Sequence, residues 1–328
     1  MQPDIQQDQS STQEFYRFQF FGQGMDFFVI MLKNIILTIF TLGIYHFWAK
    51  VNSRKFLWQN MEFASSRFLY TGTAIELLIA RLKFFGIVAV AVLIVALISM
   101  GGLGETVGML VGGLIYFAFF LCVPYLIIGA WRYRLSRTTW KGIQLGMMDC
   151  GKEYTMSFIG GYILTILSFG LYYSKWSHDL YRIPCENIRM GTLRFKYTGK
   201  PWDLLVPCIK AFFLTIFTLG FYIPWFVAEM ARYRASHTFI GSETNGFARM
   251  QCKLTGGQIL GQVLLQYLLI VFTFGLALPW VIINNLNFFC ENIFFQGKLD
   301  FSNIQQSNLA RPGALADGIG DALDIGIG

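Results

Sequence analysis

A motif that keeps returning constrains this chain more than anything else in it. TLGIYHFW at 41–48 recurs as SFGLYYSKW at 168–176, TLGFYIPW at 218–225 and TFGLALPW at 273–280. C-E-N-I occurs at Cys185–Ile188 and again at Cys290–Ile293. Pro124, Arg132, Tyr133, Arg134, Ser136 and Thr138 match Pro224, Arg232, Tyr233, Arg234, Ser236 and Thr238 at one constant offset. Y-T-G at Tyr70–Gly72 returns at Tyr197–Gly199, each followed by an acid (Glu76, Asp203) and then a lysine (Lys83, Lys210). Gly22, Asp26 and Lys33 keep the same spacing. Fixed spacings of this kind belong to architectures in which one supersecondary unit stacks on the next. They predict five units, 15–67, 68–142, 143–194, 195–252 and 253–302, starting near Phe18, Phe68, Ile143, Phe195 and Lys253. Each is a short strand, a Gly turn, an apolar helix, a turn, a second helix and another short strand. A polar tail (1–14) precedes the units and a disordered tail (303–328) follows them.

Composition says where such units belong. With 55% hydrophobic and 14% charged residues, the chain lacks the charge of a soluble domain. Disorder, collagen, coiled coil and most cytosolic enzymes are excluded, and a membrane protein is expected. The first fourteen residues are polar, with no basic segment leading into an apolar one, so no cleavable signal peptide is expected.

The net charge of +7 would suggest nucleic acid in a soluble chain, but its distribution argues otherwise. The turns between paired helices fall near Gly43, Gly101–Gly108, Gly170, Gly220 and Gly275, with no Lys or Arg within four residues. The basic residues gather toward the connectors, and short basic loops stay cytoplasmic. Both termini and all connectors are therefore expected inside, with no nucleic-acid partner. The second segment holds two uncharged runs long enough to cross about 30 Å of hydrocarbon. Elsewhere each half spans about 25 Å at 1.5 Å per residue, and Ile44–Asn60 carries His46, Lys50, Arg54 and Lys55. Ten short crossing helices compete here with six or fewer crossings plus interfacial helices. The expected fold class is mainly α: a polytopic membrane protein of repeated helix-pair units joined by short cytoplasmic β-hairpins.

FLYTG, LRFKYTG and KLDF alternate apolar and polar residues as half-buried strands do. Unpaired edges are a liability, so these strands are expected to pair in a small sheet or ring beneath the membrane. Asp26/Lys33, Glu76/Lys83 and Asp203/Lys210 read as helix-start pairs, the acid placed where the macrodipole favours it.

Two polar columns recur after the turn glycine. One is basic (Arg54 with Lys55, Arg132, Arg182, Arg232), with Asn287 in the fifth unit. The other is Asn60, Arg137, Asn187, His237 and Asn292, with Glu186 and Glu291 beside two of them. Drawn into rings, such columns line pores and carriers. At helix ends, Arg instead snorkels and Asn caps carbonyls. Trp48, Trp176, Trp225 and Trp280 fit an aromatic belt. No site for a metal or cofactor is expected. Six scattered cysteines form no ligand or disulfide pattern, three histidines are too few, and no nucleophile elbow or phosphate loop occurs. An enzyme is not expected.

The T-L-G-[IF]-Y-x-x-W motif resembles the YjgN-like DUF898 family. So do the N-x-x-F-x-x-x-x-F-x-Y-T-G strand after it and the acid with Leu-Leu that follows. The resemblance covers roughly residues 15–300. It implies a bacterial inner-membrane protein and carries no activity. The chain departs from the pattern at Ser168–Trp176, where one extra residue shifts the Trp, and at Asn287. Two functions follow as expectations: a channel or carrier with a polar path along the second helices, or a non-transporting platform. The platform would bind lipids, a second copy or a protein partner through its β layer and basic rim.

Overall fold

The computed structural model describes residues 14–100, 105–301 and 304–306. The tails expected at 1–14 and 303–328, apart from Glu14 and 304–306, lie outside the described residues, as does part of the turn expected at 101–108. In chain order the order β-α-α-β occurs five times. The first is β1 (Phe15–Phe20), α1 (Gly24–Phe40), α2 (His46–Gln59) and β2 (Met61–Phe63). The second is β3 (Ser66–Tyr70), α3 (Ala74–Met100), α4 (Glu105–Ser136) and β4 (Thr138–Trp140). The third is β5 (Ile143–Met147), α5 (Gly151–Leu167), α6 (Tyr173–Asn187) and β6 (Ile188–Met190). The fourth is β7 (Leu193–Tyr197), α7 (Leu205–Phe217) after one 3-10 turn, α8 (Ile223–Ser236) and β8 (Thr238–Ser242). The fifth is β9 (Gly246–Cys252), α9 (Gly256–Phe272), α10 (Leu278–Asn292) and β10 (Ile293–Gly297). β9 thus precedes Lys253, where the fifth unit is expected to begin.

The strands correct the expected fold class. They are not separate hairpins appended to a polytopic helical bundle. All ten join one closed antiparallel barrel, in which β1 pairs with β2 on one side and β10 on the other. Closure removes every edge, which is the physical reason short strands of three to seven residues persist here. The helices correct it too. Eight of those described have 13–17 residues. Among the described residues only α3 and α4, with 27 and 32 residues, are long and apolar enough to cross a bilayer.

Register places every helix pair at one end of the barrel. Phe20, where β1 runs toward α1, lies opposite Met61, where β2 leaves α2. The hairpin turns between successive units lie at the other end. Two are two-residue turns with both residues at positive φ, Ala64–Ser65 and Lys141–Gly142, whose twist matches that of the strands they join.

Alternation along the strands sends apolar residues inward. Phe63, Phe68, Trp140, Met190, Leu193, Ile240, Ala248 and Phe295 form one buried core. Leu299 joins it and Phe301 and Ile304 pack on it, so the segment after β10 plugs the turn end. Here lies a second correction: KLDF is not a strand. Its alternation points Leu299 and Phe301 into the barrel, and a closed barrel leaves no edge on which it could pair. Tyr16 Oη donates to the Leu299 carbonyl at 3.1 Å, and Asn245 Nδ2 to that of Asp300 at 2.7 Å.

The Y-T-G glycines serve close approach. A Cβ at Gly72 would stand 2.5 Å from Tyr70 Oη, and one at Gly199 2.3 Å from Tyr197 Oη. Each Tyr folds back over the glycine two residues on, so the strand ends against its own side chain. Three of the four tryptophans expected as a belt pack on glycines: Trp176 on Gly161, Trp225 on Gly256 of the next pair, and Trp280 on Gly24. The last contact brings the fifth pair against the first.

Four of the turns joining paired helices hold a bulky apolar residue in the left-handed region. Leu42, Phe169, Leu219 and Phe274 have φ of 49–51°. Such backbone costs on the order of 1–3 kcal/mol per residue.

Candidate functional site

The columns expected to line a path act at the barrel rim. Asn60, Asn187 and Asn292 each donate from Nδ2 to the carbonyl four residues back, at 2.8 Å (Phe56, Ile183, Phe288), closing the last turn of their helix. His237 Nδ1 meets Tyr233 O at 2.8 Å. Their own carbonyls accept from the amide just past the adjoining strand: Phe21 to Asn60, Thr71 to Arg137, Met148 to Asn187, Thr198 to His237 and Lys253 to Asn292, at 2.8–3.0 Å. The column is a latch, repeated five times, that clamps each second helix to the barrel.

The basic column is spread among local partners. Arg54 is buried and donates to Tyr70 Oη at 3.1 Å. Arg132 pairs with Asp149 at 3.3 Å. Arg182 reaches Glu186 at 3.1 Å and Glu153 at 3.4 Å, while Arg232 donates to the Leu254 carbonyl. Glu291 is exposed. Apart from Glu291, each of these residues is held by a local partner.

Two of the three helix-start acids, Glu76 and Asp203, find partners across the pair and not along their own helix. Glu76 accepts from Tyr133 Oη at 2.6 Å and from Arg137 Nε and Nη2 at 3.0 Å each. Asp203 accepts from Tyr233 Oη at 3.0 Å. Lys33, Lys83 and Lys210 remain exposed, as does Asp26. Burial lowers the Arg137 pKa, but the Glu76 carboxylate outweighs it and the net shift is upward. Replacing Glu76 by Ala strands one hydroxyl and a fork of N–H groups. Because the pair is only partly buried, the expected loss is about 1–2 kcal/mol of unfolding free energy, to be measured by urea titration in detergent.

Sequence reasoning missed the bonds that tie one unit to the next. Trp58 Nε1 donates to Thr138 Oγ1 at 2.9 Å, and Tyr181 Oη meets Thr238 Oγ1 at 3.0 Å. Arg234 Nη2 donates to Ser177 Oγ at 2.7 Å, and His178 Nε2 lies 3.0 Å from Gly199 O. The matched Thr138/Thr238 and Arg134/Arg234 were a visible signal without visible partners.

Chemistry concentrates on the outer barrel wall. In the cross-strand row Gly146–Arg189–Arg194–Gly241, on β5 to β8, two arginines stand directly opposite each other between two glycines. Lacking a side chain, Gly241 leaves room beside the arginines for a groove of about 630 Å³, lined also by Thr192, Lys196, Ser242, Thr244 and Phe247. Glu186 and Glu243 border it, Glu186 being engaged by Arg182. Among the described residues no carboxylate pairs with Arg189, Arg194 or Lys196. Burial, and then the Arg194 charge opposite, hold the Arg189 pKa below its ordinary value. Like charges directly opposite destabilise a sheet, and this pair has the chemistry to recognise an oxyanion. No group of three or more His, Cys, Asp or Glu among the described residues could hold a metal ion, and the six cysteines are free thiols.

The family model described as "Bacterial protein of unknown function (DUF898)" matches residues 15–216, 176–245 and 237–322. The chain is similar to the inner membrane protein YjgN of Salmonella typhimurium (strain LT2), 25% identical over 322 residues that take in 85% of this chain and 77% of that one. It is also similar to the inner membrane protein YjgN of Escherichia coli (strain K12), 39% identical over 69 residues, 21% of this chain and 17% of that one. No solved structure matches it. Repeated motif, family model and relatives agree: the chain belongs to the DUF898 family of bacterial proteins.

Proposed function

We propose that this is an inner-membrane protein acting as a non-transporting platform. α3 and α4 anchor it, and the barrel presents a basic outer groove to phosphate-type anions. The observation that carries this reading is the filled axis. Phe63, Trp140, Leu193 and Phe295 are at most 2% exposed inside the barrel, and Leu299 and Phe301 close its turn end. Ions do not pass through packed aromatics and aliphatics, because nothing there replaces their hydration. Apart from the exposed Glu291, the residues of the alternative polar path are engaged in helix caps, ion pairs or other local hydrogen bonds. The distribution of basic residues supports a cytoplasmic barrel with both termini on that side.

Flux tests the reading. Proteoliposomes containing the purified protein are expected to leak ions and amino acids no faster than protein-free vesicles. A protein-dependent flux abolished by Glu186→Ala would restore the carrier reading and remove this one.

A further inference from the structure

The four short turns share one design. In the first, the amides of Thr41, Leu42, Gly43 and Ile44 donate to the carbonyls of Leu37, Ile39, Thr38 and Thr41. Tyr45 N donates to Thr41 Oγ1 at 2.9 Å and His46 N to Gly43 O. The pattern repeats at 168–173, 218–223 and 273–278, where Ser168, Thr218 and Thr273 offer the hydroxyl oxygen. Six successive amides in each turn are thus satisfied from within. A turn in water has no need of this, whereas backbone in hydrocarbon requires it. Leu42, Phe169, Leu219 and Phe274 at the apices are 93–97% exposed, in a left-handed conformation that Gly or Asn adopts more readily. Water would favour neither the side chain nor the backbone.

We propose that these four helix pairs dip into the membrane and end near its midplane, their apolar tips in the acyl-chain interior, while α3 and α4 cross. This rests on the inner-membrane anchoring proposed above and specifies how the rest of the helical layer sits.

The lengths set the depth. Lys33, Lys83 and Lys210 are exposed and stand equally far past Gly22, Gly72 and Gly199, which puts them at one level below the barrel rim. From Lys33 to Phe40, and from Lys210 to Phe217, is roughly 10 Å of helix at 1.5 Å per residue, and the turn beyond it with its apical side chain carries the reach to about 15 Å. That is half of the about 30 Å hydrocarbon thickness. α3 continues from Lys83 to Met100, about 25 Å. Lysines at headgroup level thus give mid-depth tips for the short pairs and a crossing for the long one. Among the lysines and arginines described, Lys175 stands nearest a tip, and its Nζ donates to Asp179 Oδ2 at 3.0 Å, one turn back toward the barrel.

Site-directed labelling reads this directly. Single cysteines at Leu42, Leu219 and Val107 are made in a background without the native six that still inserts, and intact membranes are treated with an impermeant maleimide on either side. Leu42→Cys and Leu219→Cys are expected to react from neither side, and their fluorophores to be quenched most by nitroxides near the acyl-chain ends. Val107→Cys is expected to react from the face opposite the barrel. Reaction of positions 42 and 219 from that far face means full crossing, and reaction from the barrel's face means they lie in water; either overturns the proposal. Release of the whole protein by alkaline washing, with Val107→Cys no longer reactive only from the far face, would overturn the anchoring as well. In a second variant Leu42, Phe169, Leu219 and Phe274 all become Asn, which suits the turn and removes only the apolar tip. Barrel unfolding is then expected to be unchanged, while Ile39→Cys becomes reactive from the barrel's side. Persistent protection of Ile39→Cys counts against the proposal.

Discussion

Trp140→Ala is expected to lower the unfolding free energy of the detergent-solubilised protein by about 3–5 kcal/mol, the range for removing a large buried aromatic. The side chain is 0% exposed at the centre of the barrel core. Its ring lies against Phe63 and Phe301, with centroids 5.9 and 5.5 Å away. Its Nε1 donates to the carbonyls of Phe63 at 3.0 Å and Ser66 at 3.2 Å, both in the β2–β3 hairpin. Truncation therefore leaves a cavity and removes the donor that closes that hairpin onto β4. Against a typical total of about 5–15 kcal/mol, such a loss unfolds a large fraction of molecules near growth temperature. Trp202→Ala is the control: that ring is 74% exposed, and its loss is expected to change stability by no more than about 0.5 kcal/mol. Equal effects from the two variants would mean the barrel interior is not the packed centre of the molecule.

Neutralising Arg189, Arg194 and Lys196 together to Gln is expected to weaken phosphate-anion binding by roughly a hundredfold. Each cation near an anionic surface is worth about 1 kcal/mol, and each 1.4 kcal/mol is about tenfold. Two arms separate the possible sources of the phosphate. Calorimetry with inorganic pyrophosphate, on protein in neutral-lipid nanodiscs, reads a soluble anion. A rise in melting temperature on adding phosphatidylglycerol to the nanodisc reads a headgroup. Loss of neither signal in the triple variant would refute the groove. Arg194→Gln alone has the opposite effect on the fold. Relieving the Arg189–Arg194 opposition is expected to stabilise the barrel by about 0.2–1 kcal/mol while weakening the anion. Opposite signs in one variant distinguish a binding charge from a structural one.

Several features stood in the sequence because near neighbours carry them. The T-L-G turn is visible since its hydroxyl, αL residue and glycine are consecutive. Alternation in SRFLY and LRFKY shows strands because the side-chain period is two. The capping role of Asn60, Asn187 and Asn292 was one of two legible readings, since the carbonyl they close lies four residues away. KLDF misled for the same reason: an extended plug and a strand share one local period. The opposition of Arg194 to Arg189 was not legible, because nothing beside Arg194 in sequence announces Arg189 opposite or Gly241 on the next strand.

By itself the sequence determined the order of elements, the uncharged turns, the gathering of charge toward one end and membership in an inner-membrane-type family. Only the tertiary structure decided that ten strands close into one barrel, that its axis is filled, and which two of the described helices are long and apolar enough to cross. The reason is distance along the chain. β1 is held by β10, with Tyr16 opposite Phe295, and the plug at Leu299 meets Tyr16 from the far end of the sequence. Periodicity reports which face of an element is apolar. It does not report which other element covers that face.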